Sequence, residues 1–266
     1  MNPELEFVME TAQRAGELIL GYFQRSCQVD HKGNDNPVTA ADLAADDFLR
    51  RAFRDRFPTD GWLSEETADD EQRLTRNRVW VVDPLDGTKE FVQGLPEFAI
   101  SIALVEKGKP RLGLVFNPAT GELFSAEAGG GAFRNGCPVK VCRRKQLGGA
   151  KILASRSEHS AQLFAPLKKS ARIQKLGSIA YKLALVAAQQ GDLTVSFRPK
   201  SEWDVCAGYL LVKEAGGKVT DLGGRRLQFN RSKPRILGLI AANPALHRRA
   251  LDWALRSKVA AIDSRE

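Results

Sequence analysis

The sequence is short of the residues that covalent and transition-metal chemistry need. It holds four cysteines, Cys27, Cys137, Cys142 and Cys206, and no two of them form a C-x-x-C pair. Its three histidines do not stand at zinc-site spacing. A disulfide framework and a zinc site are thereby set aside, and free thiols in a reducing compartment are expected. No serine or cysteine motif for a covalent nucleophile is present. Gly129-Gly130-Gly131 lacks the lysine and following helix of a P-loop, so it reads as a turn. No apolar run approaches a membrane span, and residues 1–10 carry acids rather than an apolar signal core. The expected location is cytoplasmic. Long blocks of one charge sign are missing too. The net charge is +8, but the basic residues are scattered, with short pairs such as Arg143-Arg144 and Arg248-Arg249. A solvated basic surface accounts for that pattern better than a nucleic-acid stripe, and no specific nucleic-acid partner is expected.

What is present is an ordinary globular composition, 43% hydrophobic and 27% charged over 266 residues. Such a chain can bury a large core, as one domain or two close-packed halves. Asn2-Pro3-Glu4 opens a helix, and Phe7, Val8, Ala12, Ala15, Leu18, Ile19, Tyr22 and Phe23 recur at helical spacing. A polar loop follows from His31 to Val38, with Lys32 in it. Thr39 with an acid, Asp42, three residues on matches a helix-opening box, and that helix runs toward Pro58. Residues 99–105, 111–116 and 122–126 read as strands. Past a boundary near residues 143–149, strands and helices alternate. The reading there is a strand at 152–155, a helix at 178–190, a strand at 193–197 and a helix opened by Trp203-Asp204. Strands at 218–220 and 236–241 and a last helix at 244–256 complete it. The halves are drawn as 1–145, α+β, and 146–266, α/β.

The chain is organised around Trp80 to Phe91, Trp-Val-Val-Asp-Pro-Leu-Asp-Gly-Thr-Lys-Glu-Phe. The β-branched run 79–82 predicts a buried strand that ends near Pro84, which cannot donate a ladder hydrogen bond. Gly87 suits a sharp turn, because a positive φ costs glycine little. Asp83 and Asp86 thus stand on a rigid turn, where two acids suit a hard cation bound through oxygen. The N–H groups after Asp86 stand where an anion can be cradled. A plainer reading stays beside this one, in which the acids only cap the next element. Asp42 and Asp204 likewise read as helix-opening acids. Glu65 and Glu66, taken as strand neighbours, would point to opposite faces, so at most one serves the Asp83 and Asp86 site.

In joint order, a Ser-Glu-Glu segment at Ser64, then Asp83-Pro84-Leu85-Asp86-Gly87-Thr88, then Trp203-Asp204-x-Cys206-Ala207-Gly208 resembles the inositol monophosphatase superfamily across nearly the whole chain. The resemblance implies a layered αβαβα sandwich, usually a homodimer, and a lithium-sensitive, magnesium-dependent phosphate monoester hydrolase. It implies metal ligands at Glu65, Asp83, the Leu85 carbonyl, Asp86 and Asp204 for two or three Mg2+ ions, with Glu65 rather than Glu66 as the ligand. Catalytic roles fall to Glu65, Thr88 and Asp42, the last near the Thr88 hydroxyl. Asp86, Gly87, Thr88, Lys89, Gly177, Ser178, Arg198, Lys200 and Asp204 would bind the small phosphorylated substrate. The mechanism implied is a two-cation clamp on the phosphate, with Glu65 and Thr88 positioning a water. Within the superfamily, Lys89-Glu90-Phe91 and Ala154-Ser155-Arg156-Ser157 look like the CysQ-type 3′(2′),5′-bisphosphate nucleotidases. Phe197 and Arg198 stand near the usual place of an inositol-binding acid, and Lys200 adds a second cation. The expected substrate is therefore 3′-phosphoadenosine 5′-phosphate, with inositol 1-phosphate or another sugar phosphate as the alternative. An inactive member serving as a binding protein is less favoured, since every side-chain ligand position is an acid.

Overall fold

The structure is a computed structural model that describes residues 2–23, 29–31, 37–156, 164, 167 and 170–263. Cys27, Lys32, Ser157 and most of the loop read between His31 and Val38 lie outside the described residues. Helices α1 (Pro3–Phe23) and α2 (Ala40–Arg56) flank a short pair, β1 (Val29–His31) and β2 (Pro37–Thr39). A seven-stranded sheet follows in chain order: β3 (Gly61–Ser64), β4 (Arg78–Asp86), β5 (Ala99–Glu106), β6 (Lys109–Asn117), β7 (Glu122–Glu127), β8 (Gly131–Arg134) and β9 (Cys137–Val139). Strand β3 pairs in parallel with β4, and the others pair antiparallel. A 3₁₀ turn at Glu71–Thr75 lies between β3 and β4, and the short α3 (Thr88–Val92) leads out of β4.

The remaining elements are β10 (Lys151–Ser155), β11 (Arg172–Leu176), α4 (Ile179–Ala187), β12 (Leu193–Ser196), β13 (Lys200–Ser201), α5 (Glu202–Glu214), β14 (Lys218–Thr220), β15 (Arg235–Ile236), β16 (Leu239–Ala242) and α6 (Pro244–Asp263). They form a second sheet in the order β11-β10-β12-β16-β14, with a two-stranded β13-β15 ladder beside it. Side-chain alternation along β4 builds the layers. Trp80 and Val82 pack with Val8, Ala12, Leu49 and Phe53 of α1 and α2. Val79 and Val81 pack the other way, in a core with Leu183 and Leu210 of α4 and α5 and with Leu153 and Ala241 of the second sheet. Val195 and Ile240 face a third core with Leu246, Ala250 and Ala254 of α6. The result is the expected αβαβα sandwich, and its middle core draws on both halves of the chain. Small residues let the middle layer close up. A Cβ on Gly113 would lie 2.9 Å from the Ala207 carbonyl oxygen, and one on Gly208 2.5 Å from Leu183 Cβ. The Ala207-Gly208 pair is small because α5 lies directly on β6 and against α4.

Several boundaries differ from the sequence reading. Strand β4 continues through Pro84 to Asp86, because its register with β5 shifts between Asp83 and Asp86 and the missing N–H falls in that irregularity. The helix read to 190 ends at Ala187. The strand read at 236–241 is broken by Gly238, whose φ is 82°. Strands β8, β9 and β11 are short and carry no clear alternation, so the sequence pattern does not announce them. Cys137, Cys142 and Cys206 are free thiols. No helix among the described residues is long and apolar enough to cross a membrane.

One buried titratable group on α6 has a clear consequence. His247 is 1% exposed, and its Nε2 is 2.9 Å from Thr220 Oγ1. Burial, with Lys218 nearby, lowers its pKa to about 4. The unfolded chain therefore takes up a proton near pH 6.5 that the folded chain refuses until about 4. Stability from this group is complete above 6.5 and is lost as pH falls through that window, by about 3 kcal/mol. Glu202, raised to about 7 chiefly by burial, tilts the other way over an overlapping range. The informative quantity is therefore the difference between His247→Gln and the parent in urea midpoints at pH 7.5 and 5. The variant should lose less stability on acidification; equal losses would refute the assignment.

Candidate active site

The carboxyl end of β4 delivers two acids into the junction of both sheets. Asp83 is 1% exposed, and its Oδ1 accepts a hydrogen bond from the Leu85 N–H at 2.9 Å. Its Oδ2 is buried and has no hydrogen-bond partner among the described residues. A buried carboxylate oxygen left without a donor is costly unless something else neutralises it. Carboxylate oxygens of Glu65, Asp83 and Asp204 lie within 4.8 Å of one another. Burial first, then the charges of Glu65, Asp86 and Asp204, push Asp83 well above the usual carboxylate range. Burial, then Asp86 and Glu65, push Asp204 the same way. An all-oxygen set of mutually repelling acids with an orphaned oxygen fits a hard divalent cation such as Mg2+.

Three further groups border this set. Asp86 Oδ2 accepts from Ser178 Oγ and from the Ala180 N–H, both at 2.6 Å. Asp86 therefore holds the first turn of α4, and it stands beside the close trio rather than in it. Gly87 has φ 106°, and a Cβ there would sit 2.8 Å from the Glu97 carbonyl oxygen. Thr88 Oγ1 lies 2.9 Å from Asp42 Oδ1 and 3.1 Å from the Leu85 carbonyl oxygen. The other Asp42 oxygen accepts from the Thr39 N–H and Oγ1, at 2.7 and 2.6 Å. Both readings of Asp42 thus hold at once: one oxygen opens α2 and the other receives Thr88. Asp204 repeats this economy, with Oδ2 accepting from the Ser201 N–H at 2.9 Å while the residue also belongs to the trio. Glu65 joins the trio and Glu66 does not. Strand β3 stops at Ser64, so the pair leaves in a bend and the strand-alternation argument does not apply to it. Glu65→Gln should lower kcat/KM by about a hundredfold or more, the loss expected when one charge leaves a cation shell worth several kcal/mol. Glu66→Gln should change it less than about threefold, inside the range of an ordinary surface change. Equal losses in a phosphate-release assay would reassign the pair.

This geometry has relatives. The sequence matches the inositol monophosphatase family over residues 1–260. The chain belongs to that family. A histidinol-phosphatase of Chlorobaculum parvum is 36% identical over 254 residues, covering 93% of this chain and 95% of that protein. An inositol-1-monophosphatase of Rhizobium meliloti is 37% identical over 236 residues, covering 84% and 88%. The solved Thermotoga maritima IMPase superposes with a TM-score of 0.86 at 32% identity, over 96% of this chain and 97% of that one. As an inositol monophosphatase family member the chain is a metal-dependent phosphatase. These relatives carry the names of a histidinol-phosphatase and of inositol monophosphatases, and none of them is named a bisphosphate nucleotidase, the subfamily that Lys89-Glu90-Phe91 resembles.

In this inositol monophosphatase family protein the acids open on a cleft of about 640 Å³, lined in part by Lys89, Gly177, Arg198, Lys200 and Arg235. The structure therefore brings every expected site residue to one place. It also shows which cations are already engaged. Arg156 makes a two-pronged pair with Glu97, 2.7 Å on each arm, and Glu97 also accepts from the Gly177 N–H at 2.8 Å. The buried Lys182 ammonium donates to the carbonyls of Leu176 and Gly177, at 3.1 and 2.9 Å. Lys200 acts electrostatically on Asp204, lowering a pKa that the acids raise. Glu97, Lys182, Arg235 and Asp46 escaped the sequence reading. Asp46 alone left a signal, one helical turn beyond Asp42 on the same face.

Proposed function

We propose that the chain hydrolyses a small phosphate monoester of a polar alcohol, of the inositol-phosphate or histidinol-phosphate kind, with Mg2+. The observation that carries this reading is the unpartnered Oδ2 of Asp83, buried against Glu65 and Asp204 and followed at once by Gly87-Thr88. Glu65, Asp83, Asp204, the Leu85 carbonyl and the second oxygen of Asp86 would hold the metal. Bound Mg2+ supplies charge neutralisation at the phosphate and makes water a better nucleophile. The N–H groups of Gly87 and Thr88 face the phosphate oxygens in this reading. Donation to Asp42 leaves Thr88 Oγ1 free to accept from the attacking water, which Glu65 orients from the other side. Burial holds Asp42 above its ordinary value, so it suits the role of proton acceptor through Thr88. As the water oxygen bonds to phosphorus, the bond to the alcohol oxygen breaks, and the departing alkoxide takes a proton from solvent water in the open cleft and leaves as the alcohol. The names of the relatives, which match more than four-fifths of the chain, support a singly phosphorylated substrate.

A second reading, 3′-phosphoadenosine 5′-phosphate hydrolysis, draws on Arg198 and Lys89 at the cleft, for which a second phosphate is a natural partner. Charge-assisted hydrogen bonds of roughly 1.5–3 kcal/mol would favour the bisphosphate by about ten- to a hundredfold. The deciding experiment is phosphate release with Mg2+ from inositol 1-phosphate, histidinol phosphate, fructose 1,6-bisphosphate and 3′-phosphoadenosine 5′-phosphate. A kcat/KM highest for the adenosine compound, and reduced by Arg198→Ala, would replace the monophosphate reading. No release from any of them would reject both. The homodimer remains part of the proposal, checked by light scattering of the purified chain.

A further inference from the structure

We infer that Asp46 is a positioning residue that sets the place of Glu65, and through it the affinity of the metal site. Asp46 lies in the second turn of α2 and is 6% exposed. Its Oδ1 accepts from Ser64 Oγ at 2.5 Å and its Oδ2 from Thr67 Oγ1 at 2.7 Å. Those two hydroxyls belong to the residues on either side of Glu65-Glu66. One carboxylate therefore ties down both ends of the four-residue segment that carries Glu65. Ser64 closes the β3 ladder opposite Val82, and residues 65–67 beyond it form a bend outside the strand. Asp46 has no duty to its helix, whose opening is already satisfied by Thr39 and Asp42. Its hydrogen-bond partners are hydroxyls, not cations, and a buried carboxylate so held is costly to keep without a gain elsewhere. One turn earlier on the same helix, Asp42 receives Thr88, two residues past the end of β4. Helix α2 thus keys the ends of two neighbouring strands to one rigid body, one acid to each.

This inference rests on the reading of Glu65 as a metal ligand, and the test separates the two. Asp46→Ala should weaken binding of Tb3+, followed by its luminescence in the absence of substrate, by about ten- to a hundredfold. The Mg2+ concentration for half-maximal activity should rise by a similar factor, with KM for substrate at saturating Mg2+ little changed. Thr67→Val and Ser64→Ala should each reproduce part of the shift. Asp46→Asn, whose amide can still meet both hydroxyls, should recover most of the affinity. Asp46→Ala that binds Tb3+ and responds to Mg2+ like the parent overturns the inference and leaves the metal reading standing. A parent protein that binds no Tb3+ overturns the metal reading and this inference with it. If Asp46→Ala does not fold, Thr67→Val and Ser64→Ala together decide, and unchanged affinity in that double variant overturns the inference.

Discussion

Asp83→Asn should cut turnover by about a hundredfold or more and at the same time make the metal-free protein more stable at pH 8. The two effects have one cause. The carboxylate is buried beside Glu65, Asp86 and Asp204, and one of its oxygens meets no donor among the described residues. Without metal the folded state holds a proton at Asp83 far more tightly than the unfolded chain does. The folded state then binds more protons at every pH between the ordinary value of 3.8 and the raised one. Stability of metal-free protein therefore falls as pH rises through that interval. Asparagine keeps the volume, removes the charge and flattens this slope. With Mg2+ the order reverses, because the cation takes the place of the proton and stabilises only the folded parent. The loss of a full carboxylate from the cation shell, worth several kcal/mol, should cost a hundred- to a thousandfold in kcat, as an order of magnitude. Thermal unfolding with and without Mg2+, at pH 5 and 8, together with phosphate release, measures all of this. A metal-free variant less stable than the parent at pH 8 would show that Asp83 is held by contacts rather than strained by its neighbours.

The residues whose chemistry is local were legible before the fold was seen. Asp83, Asp86, Gly87 and Thr88 lie within six residues, so strand, turn and acids could be read together. Asp204 and Asp42 each belong to a helix-opening pattern; their second role rests in the sequence on the family resemblance alone, and the geometry for it appears when β4 is laid between α2 and α5. Side chains that act across the layers had no such signature. Glu97 reaches Arg156 over 59 residues, and Arg73 reaches Asn230 over 157. Pairing at that separation is decided by the packing of two sheets and leaves no periodicity in the chain. The substrate is the least legible feature for a related reason. Cations such as Arg156 looked available in sequence and are neutralised by partners only the fold supplies.

Arg73→Met should be among the most destabilising single changes outside the cores. Arg73 is 2% exposed although it lies in a 3₁₀ turn between β3 and β4. Its Nε and Nη2 meet Asp69 at 2.6 and 2.7 Å, Nη1 meets Asn230 Oδ1 at 2.6 Å, and Nη2 also donates to the Arg231 carbonyl at 2.9 Å. The N–H groups of Asn230 and Arg231 donate in turn to Glu202, at 2.6 and 3.2 Å. Glu202 is fully buried and stands two residues before Asp204. A continuous polar strut thus joins the segment after Glu65 to the start of α5, the two carriers of the proposed metal-binding acids that lie furthest apart in sequence. Methionine keeps the bulk of the side chain but leaves Asp69, Asn230 and the Arg231 carbonyl without their donor. Breaking a buried, hydrogen-bonded charge of this kind costs about 3 kcal/mol, allowing for the partial exposure of Asp69. For a domain of this size that is a fall of roughly 6–12 °C in Tm. The Mg2+ requirement should rise as well, since the spacing of Glu65 and Asp204 is no longer set from both sides. Asp69→Asn should share much of the stability loss, and the double variant should be far less than additive, because the two residues lose the same contact. Urea midpoints for the cycle and the half-saturating Mg2+ of each variant are the measurements. Additive losses would show that Arg73 and Asp69 act separately. An unchanged Mg2+ requirement in a destabilised Arg73→Met would confine the strut to holding the fold.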